Sequence, residues 1–417
     1  METRILLSAH GISQIELLEV YRKHGGYKAL ERAKQLGADG ILQEVEKSGL
    51  RGRGGAGFST FLKWQAVASQ QRAPHYFVCN AAEGEPGSFK DRELLKNPHQ
   101  VLEATAISAY AVGAEQAFLY LRGLFTQEEE LLKRALWEAE EARLLGREGI
   151  LPVTLIVHRG EDSYIAGEET ALLESLEGKR AIPRTKPPRP HEEGLWALPT
   201  AVNNVETICN IIAIVLRGVE AFRKNGTAQS PGTKLFCLSG HISRPGIYEL
   251  PLGVSLAELL HEYGGGPLEG RKLVAIFPGG PSTGLVPVEM NPPMHFEGLE
   301  AVGSTLGTGG VVVMDDSTDW IQVAVEVSDF FARESCGACP PCTIGTAEAH
   351  RLFRQLQQDI SGHQQTILKI REFCEMMKFR GQCAHNRAAA LTHLSFLNHF
   401  PEVFSSDKKG GGNGLER

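Results

Sequence analysis

Apolar residues recur at three- and four-residue spacing through "IELLEVYRKHGGYKALERAKQLGADGILQEVEKSGL", broken by Gly25-Gly26. This predicts a helical start over residues 1–48. Short apolar runs then alternate with amphipathic ones. "HYFVCNAAEGEPGSFKDRELL" opens as a buried strand and becomes a loop at Asn80, and "VLEATAISAYAVGAEQAFLYLRG" reads helix then strand. "TQEEELLKRALWEAEEARLLG" is a charged amphipathic helix, and "LPVTLIVHRG" is again a strand. Such alternation over residues 50–220 predicts an α/β unit with a largely parallel sheet. The proline-rich "EGKRAIPRTKPPRPHEEGLWALPT" predicts an irregular extended segment, and "TAVNNVETICNIIAIVLRG" a helix. "KLFCLSGHISRPGIYELPLGVSLAELLHEYGGG" reads strand, turn, strand, helix, which suits a small β-grasp module. The expected organisation is an α/β domain over 1–230, a β-grasp domain over 231–320, a helical domain over 321–405 and a disordered tail over 406–417.

Composition narrows the classes. The chain has 417 residues, 42% hydrophobic and 22% charged, with a formal net charge of -7. That lacks the basic surplus of a nucleic-acid binder. No apolar run approaches the ~18 residues of a membrane-spanning helix, and the N-terminal apolar run is too short for a signal peptide. A cytoplasmic location is expected, without membrane insertion. In that compartment disulfides are disfavoured, yet five of the eight cysteines lie after residue 330.

"ESCGACPPCTIGT" sets Cys336, Cys339 and Cys342 in C-x-x-C-x-x-C spacing, and Cys383 follows in "GQCAHN". A [4Fe–4S] cluster takes three thiolates from one compact loop and a fourth from a distant segment. Gly337 and Ala338 are small enough for a close wrap, and Pro340-Pro341 are expected to keep the loop from becoming a regular helix. Cys374, in the helical pattern "ILKIREFCEMMKF", is the rival fourth ligand, although a buried core thiol is the plainer reading there. Zinc is the alternative metal, but its sites favour two separated C-x-x-C pairs. Cys79, Cys209 and Cys237 sit alone in apolar surroundings and read as core.

The remaining chemistry lies in glycine-bearing loops. "LRGRGGAGFSTFLKW" has glycines at 52, 54, 55 and 57, but neither dinucleotide-fingerprint nor P-loop spacing. "NAAEGEPGSFKDRE" follows a strand and offers Glu83 and Glu85. "YIAGEETALLESLEG" offers Glu168 and Glu169, and "AVNNVET" offers Asn203 and Asn204 at a helix start. Each alone also reads as a tight turn or a helix cap. Together, several polar loops at helix starts in one α/β domain form a ligand-pocket pattern. A flavin mononucleotide suits it, with a phosphate for a helix N-terminus, a ribityl chain for Asn and Glu, and an apolar ring.

With "GRGGAGF", "EGEPGSFKDRE", "GEETALLESLEG", "KPPRP", "PTAVNNVET", "GSTLGTGGVVVM" and "FFARESCGACPPC", the chain from about Gly25 to Pro401 resembles the flavin- and NADH-binding subunits of respiratory complex I. Related modules occur in NAD-linked hydrogenases and formate dehydrogenases. The resemblance implies a Rossmann-like flavin domain, a β-grasp domain and a C-terminal helical bundle carrying the iron–sulfur cluster. It implies NADH oxidation at FMN, single-electron transfer to the [4Fe–4S] cluster, and onward transfer within a complex peripheral to the inner membrane. The implied partners are a thioredoxin-like [2Fe–2S] subunit and a larger iron–sulfur subunit. The implied flavin contacts are Gly52, Gly55, Lys63, Asn80, Gly167, Glu168, Glu169, Asn203, Asn204 and Thr207, with Tyr164 a further cofactor-binding residue. Phe58, Glu83, Glu85, Glu169 and Lys186 would serve the nicotinamide nucleotide, and Cys336, Cys339, Cys342 and Cys383 the cluster.

The chain departs from the family pattern at Ala82, Ser59, Phe61, Arg189 and Thr343. The family has Asp, Pro, Gly, an aromatic residue and Arg at these positions. Arg189 can stack on adenine as an aromatic ring does. Phe61 would crowd a loop that approaches a ligand. The alternative reading is therefore a repurposed nucleotide site, in a structural or electron-carrying component of a complex that another donor feeds.

Overall fold

The computed structural model describes residues 4–358 and 363–404, so the tail expected over 406–417 lies outside the described residues. Strands β1 (His75–Ala81), β2 (Ala114–Leu121), β3 (Thr154–Arg159) and β4 (Thr200–Asn204) form a parallel sheet in the order β3-β2-β1-β4. Alternate residues of β1 feed two cores. Phe77, Cys79 and Ala81 join the core beneath the helices Lys28–Ser48, Pro98–Ala111 and Val205–Arg217, while Tyr76 and Val78 join the core on the opposite face. A strand buried on both faces reads as one apolar run, which is why it was legible.

The helix expected over "TAVNNVETICNIIAIVLRG" needs correction at its start. Thr200–Asn204 is β4, and the helix is Val205–Arg217. Five residues carry too little periodicity to separate strand from helix. What decides is non-local, the pairing of Tyr76 through Asn80 with Thr200 through Asn204. Because β2 and β4 flank β1 on opposite sides, the connection order reverses between β1 and β4. Open α/β sheets bind ligands outside the carboxyl ends of their strands at such a reversal.

A second, mixed sheet comprises β5 (Thr233–Gly240), β6 (Gly246–Pro251), β7 (Leu273–Phe277), β8 (Val286–Pro287) and β9 (Gly310–Asp315), in the order β6-β5-β9-β7-β8. One of its faces, with Ala275, Phe277 and Met314, packs on Phe331, Phe353 and Phe396 of the C-terminal helices. Those helices are Trp320–Arg333, Pro340–Gln358, His363–Phe379 and His385–His399. Cys336 and Cys383, from the loops between them, pack instead against the outer core of the first sheet. The second sheet thus carries the helical region while the first sheet receives its cysteine loops. Among the described residues no helix is long and apolar enough to cross a membrane.

Candidate cofactor cavity and cluster site

Outside the carboxyl ends of β1 and β4 lies a cavity of about 750 Å³, within the range of small-molecule sites. Asn80 and Asn204 stand side by side at its base, in register across the two strands, and Asn204 Nδ2 donates to the Asn80 carbonyl at 3.2 Å. Asn80 Nδ2 donates to the Gly167 carbonyl at 2.9 Å. The helix caps and the cavity wall are the same residues. Asn204 accepts the Glu206 N–H at 3.1 Å, and Glu168 accepts those of Thr170 and Ala171 at 2.8 and 3.0 Å. Two helix N-termini, each with a partial positive charge, therefore abut the cavity.

Of the residues anticipated from sequence, Gly55, Asn80, Glu83 and Glu85 line this cavity, as do Tyr164, Gly167, Glu168 and Asn204. Gly52, Phe58, Lys63, Glu169, Lys186, Asn203 and Thr207 are not among its lining residues. Most of these frame the site instead. Gly52 N–H closes the glycine loop onto the Phe58 carbonyl at 2.8 Å, and Thr207 Oγ1 accepts the Arg53 N–H at 2.8 Å. Asn203 Oδ1 accepts from Trp64 Nε1 at 2.9 Å, which fixes the helix Thr60–Ala68 to β4. Lys63 and Lys186 each reach a Glu169 oxygen at 2.9 Å, and Lys186 also reaches Glu168 at 2.8 Å. Burial would raise the Glu169 carboxyl, but the two ammonium groups outweigh it and hold it down at about 2.

Glu83 and Glu85 do different work. Glu83 accepts the Ser88 hydroxyl at 2.6 Å and the Asp91 N–H at 3.2 Å, capping the helix Lys90–Leu95. Burial, then the Asp91 charge, pushes it up to about 6. Glu85 reaches the second sheet's loops, accepting the Ser282 N–H at 2.9 Å and the Tyr164 hydroxyl at 2.7 Å. Burial pushes it up to about 7.

The unusual residues find local roles. Ser59 caps the helix Thr60–Ala68, accepting the Leu62 N–H at 3.3 Å. Phe61 lies in that helix's first turn and packs against the large core of the first sheet. The expected crowding of the glycine loop is corrected accordingly, because Phe61 is in a helix and not among the cavity-lining residues. Arg189 also lies off the cavity, its N–H bonded to Glu192 at 2.8 Å. Ala82 does line the cavity.

Sequence reasoning missed a buried charge network behind the wall. Lys90 lines the cavity and pairs with Asp91 Oδ1 at 2.5 Å and Glu206 Oε2 at 3.1 Å. Lys234 pairs with the same Glu206 oxygen at 2.7 Å. The adjacent Lys-Asp in "FKDRE" was the available signal. Lys234, a lone lysine in an apolar strand, gave none.

Cys336, Cys339, Cys342 and Cys383 come together, whereas Cys374 is buried in the core between the C-terminal helices. Burial pushes the Cys342 thiol up to about 12, with further contributions from the charges of Cys339, Cys383 and Cys336. Among the described residues, however, no three His, Cys, Asp or Glu side chains converge as a single metal ion requires. Zinc would draw every thiolate to about 2.3 Å, whereas a cubane keeps its ligands apart at separate irons. Three thiols from one short segment and a fourth from a distant one, within electrostatic reach of each other, are the ligand set a cubane takes. Pro340-Pro341 do not prevent a helix, as was expected, but begin one, Pro340–Gln358. Proline is tolerated in a first turn, where N–H groups have no intrahelical partner. Cys79, Cys209 and Cys237 are buried, as expected.

The cavity fits a flavin nucleotide by its wall. A Cβ added to Gly55, where φ is +138°, would meet nothing nearer than the Gly307 carbonyl carbon at 3.9 Å. The missing side chain leaves backbone open to a ligand. Ile165, Leu306 and Leu391 add apolar wall, and Cys383 itself lines the cavity. An α/β crevice that shares a wall with a four-cysteine cluster defines a flavin–iron–sulfur electron-transfer protein.

Residues 45–213 match the family model for the Nuo51 FMN-binding domain, residues 235–286 the SLBB domain, and residues 322–407 the NADH-ubiquinone oxidoreductase-F iron-sulfur binding region. The chain is 45% identical over 407 residues to the second F subunit of NADH-quinone oxidoreductase from Rhizobium meliloti, covering 96% of each. It is 42% identical over 400 residues to the F subunit of NADH-quinone oxidoreductase from Streptomyces coelicolor, covering 95% of this chain and 89% of that one. Among solved structures, a chain of the H2-reduced NAD+-reducing [NiFe]-hydrogenase superposes with a TM-score of 0.84 at 35% identity. That match covers 91% of this chain and 65% of the longer hydrogenase chain. The chain belongs to the family of NADH-quinone oxidoreductase F subunits.

Proposed function

We propose that this chain is the electron-input subunit of an NADH-quinone oxidoreductase, oxidising NADH at FMN and passing single electrons to a [4Fe–4S] cluster. One observation carries the reading: Cys383 lines the same cavity as Asn80, Glu168 and Asn204. When bound, FMN supplies acceptance of an electron pair from NADH and release of single electrons. The chain's own residues bind and orient. Asn80, Gly55, Gly167 and Asn204 would hold the flavin at the strand ends, with Gly52, Asn203 and Thr207 keeping the loop in place. Tyr164, Glu83 and Glu85 would border the reacting ring, while Phe58, Lys63, Glu168, Glu169 and Lys186 would receive the nucleotide at the outer rim. Cys336, Cys339, Cys342 and Cys383 would ligate the cluster. The three parts would divide the work as 1–230, 231–320 and 321–405.

As an F subunit, the chain is one component of a multisubunit complex. Ile344 and Phe379 are 55% and 83% exposed, one two residues after Cys342 and the other four before Cys383. We assign these two exposed apolar side chains, each close in sequence to a cluster cysteine, to contact with the onward iron–sulfur partners, a thioredoxin-like [2Fe–2S] subunit and a larger iron–sulfur subunit, peripheral to the inner membrane.

The test is the flavin content and absorbance of the purified complex. Stoichiometric FMN bleached by NADH under anaerobic conditions is expected. Absence of FMN beside an intact cluster, or FMN that NADH does not reduce, would overturn the reading. Phe61→Ala is expected to cost about 2 kcal/mol, below the ~3–5 of a fully buried ring, with FMN affinity unchanged. Thermal melts and FMN titration check it, and an altered affinity at native stability would put the ring against the ligand.

A further inference from the structure

We infer that Lys234 is a positioning residue that sets the spacing between two lips of the flavin cavity, the glycine loop 52–57 and the loop 305–308. The inference rests on the functional reading above. Lys234 is the second residue of β5 and is wholly buried. Its Nζ donates to the Arg53 carbonyl at 3.1 Å, the Thr308 carbonyl at 2.7 Å and Glu206 Oε2 at 2.7 Å. An ammonium has three donors and no acceptor, so this set uses all three. The acceptors come from three segments: one lip, the other lip, and the first turn of the helix capped by Asn204.

Each carbonyl adjoins cavity wall. Gly54 and Gly55 follow Arg53, Gly307 precedes Thr308, and all three glycines line the cavity. The 3.9 Å contact that a Cβ on Gly55 would make with Gly307 places the two lips opposite each other there. Glu206 is equally buried, and its other oxygen accepts the Leu235 N–H at 2.9 Å. The shared oxygen also meets Lys90, whose Nζ donates to Asn204 Oδ1 at 2.9 Å. The clamp therefore joins the second sheet to the asparagine at the cavity base through one carboxylate.

Stability alone does not account for this arrangement. Replacing a buried ion pair with packed apolar side chains is often neutral or stabilising. An apolar side chain would fill the space but could not tie two carbonyls from separate loops to one atom. What the ammonium adds is geometry, and a cofactor site loosened by about 1 Å loses much of its function.

The test uses the full-length chain and FMN as probe. Lys234→Met is expected to weaken the FMN dissociation constant on the order of tenfold, with iron content unchanged. The double variant Lys234→Met/Glu206→Gln removes both charges and is expected to recover melting temperature but not FMN affinity. A dissociation constant within about twofold of native in Lys234→Met, or one restored together with the melting temperature, would overturn the inference. If Lys234→Met does not fold, Lys234→Gln is read against the same outcomes. Failure of the native chain to bind FMN would overturn the functional reading itself, whereas native binding with unchanged variant binding overturns only the role of Lys234.

Discussion

Cys383→Ala is expected to remove the [4Fe–4S] cluster while NADH still reduces a soluble acceptor such as ferricyanide. Cys383 supplies the only one of the four thiols from outside the 336–342 loop, and three thiolates leave one iron of a cubane without its protein ligand. Among the described residues the buried members of the large core of the first sheet end at Leu235, with Ile247 of β6 packed against them and none from the C-terminal helices, so the flavin side has its own packing and is expected to stay folded. Electron transfer to quinone should fall to background, because the cavity would have lost the acceptor on its wall. Cys374→Ala is the control. That thiol is buried among Phe353, Met377 and their neighbours, so its loss should cost about 1–2 kcal/mol and leave iron content unchanged. Iron and sulfide analysis, low-temperature EPR of the reduced protein and paired ferricyanide and quinone assays make the comparison. A cluster surviving in Cys383→Ala but lost in Cys374→Ala would reverse the assignment. Unfolding of the flavin side along with the cluster would show that the two cores are not independent.

Where a property is local, the sequence announces it. The continuous apolar run of β1, the amphipathic stretch Thr126–Glu141 and the C-x-x-C-x-x-C loop each declare themselves within a dozen residues. What was missed is non-local. β4 is a strand because β1 lies beside it. Lys90 and Lys234 are tolerable in the interior because Glu206, 116 and 28 residues away in sequence, sits between them. Phe61 illustrates the reverse case. Its position in a glycine-rich motif suggested a clash with ligand, but the chain has already turned into a helix there, and the ring faces the core. The choice between capping and ligand binding at Glu168 and Asn204 was also too sharp. A residue that caps a helix at the end of a parallel strand stands at the ligand crevice, so one side chain meets both descriptions.

Glu85→Gln is expected to remove one component of the pH dependence of stability, the fall that Glu85 itself contributes as pH rises from about 4.5 to 7. Glu85 is 6% exposed, and burial pushes its carboxyl from the ordinary 4.5 up to about 7, against the hydrogen bonds from Ser282 and Tyr164 that favour the charged form. Between those two values the folded protein keeps a proton that the unfolded chain has released. Its contribution is thus fully present below pH 4.5 and lost as pH climbs through 7, at about 1.4 kcal/mol per unit and about 3 kcal/mol in all. Glutamine cannot titrate, yet it preserves the contacts, since its carbonyl can accept the Ser282 N–H and its amide can donate to the Tyr164 oxygen. The native-minus-variant difference from urea unfolding should therefore drop across that window and level off above it. Other carboxyls do not confuse the comparison. Glu83 is raised as well but is common to both proteins, while Glu169 and Glu297 are held near 2 and act only as pH falls below 4.5. A difference that stays flat from pH 4.5 to 7 would mean that Glu85 is already ionised on folding. The hydrogen bonds from Ser282 and Tyr164 would then outweigh burial, and the cavity would carry a full negative charge across that whole range.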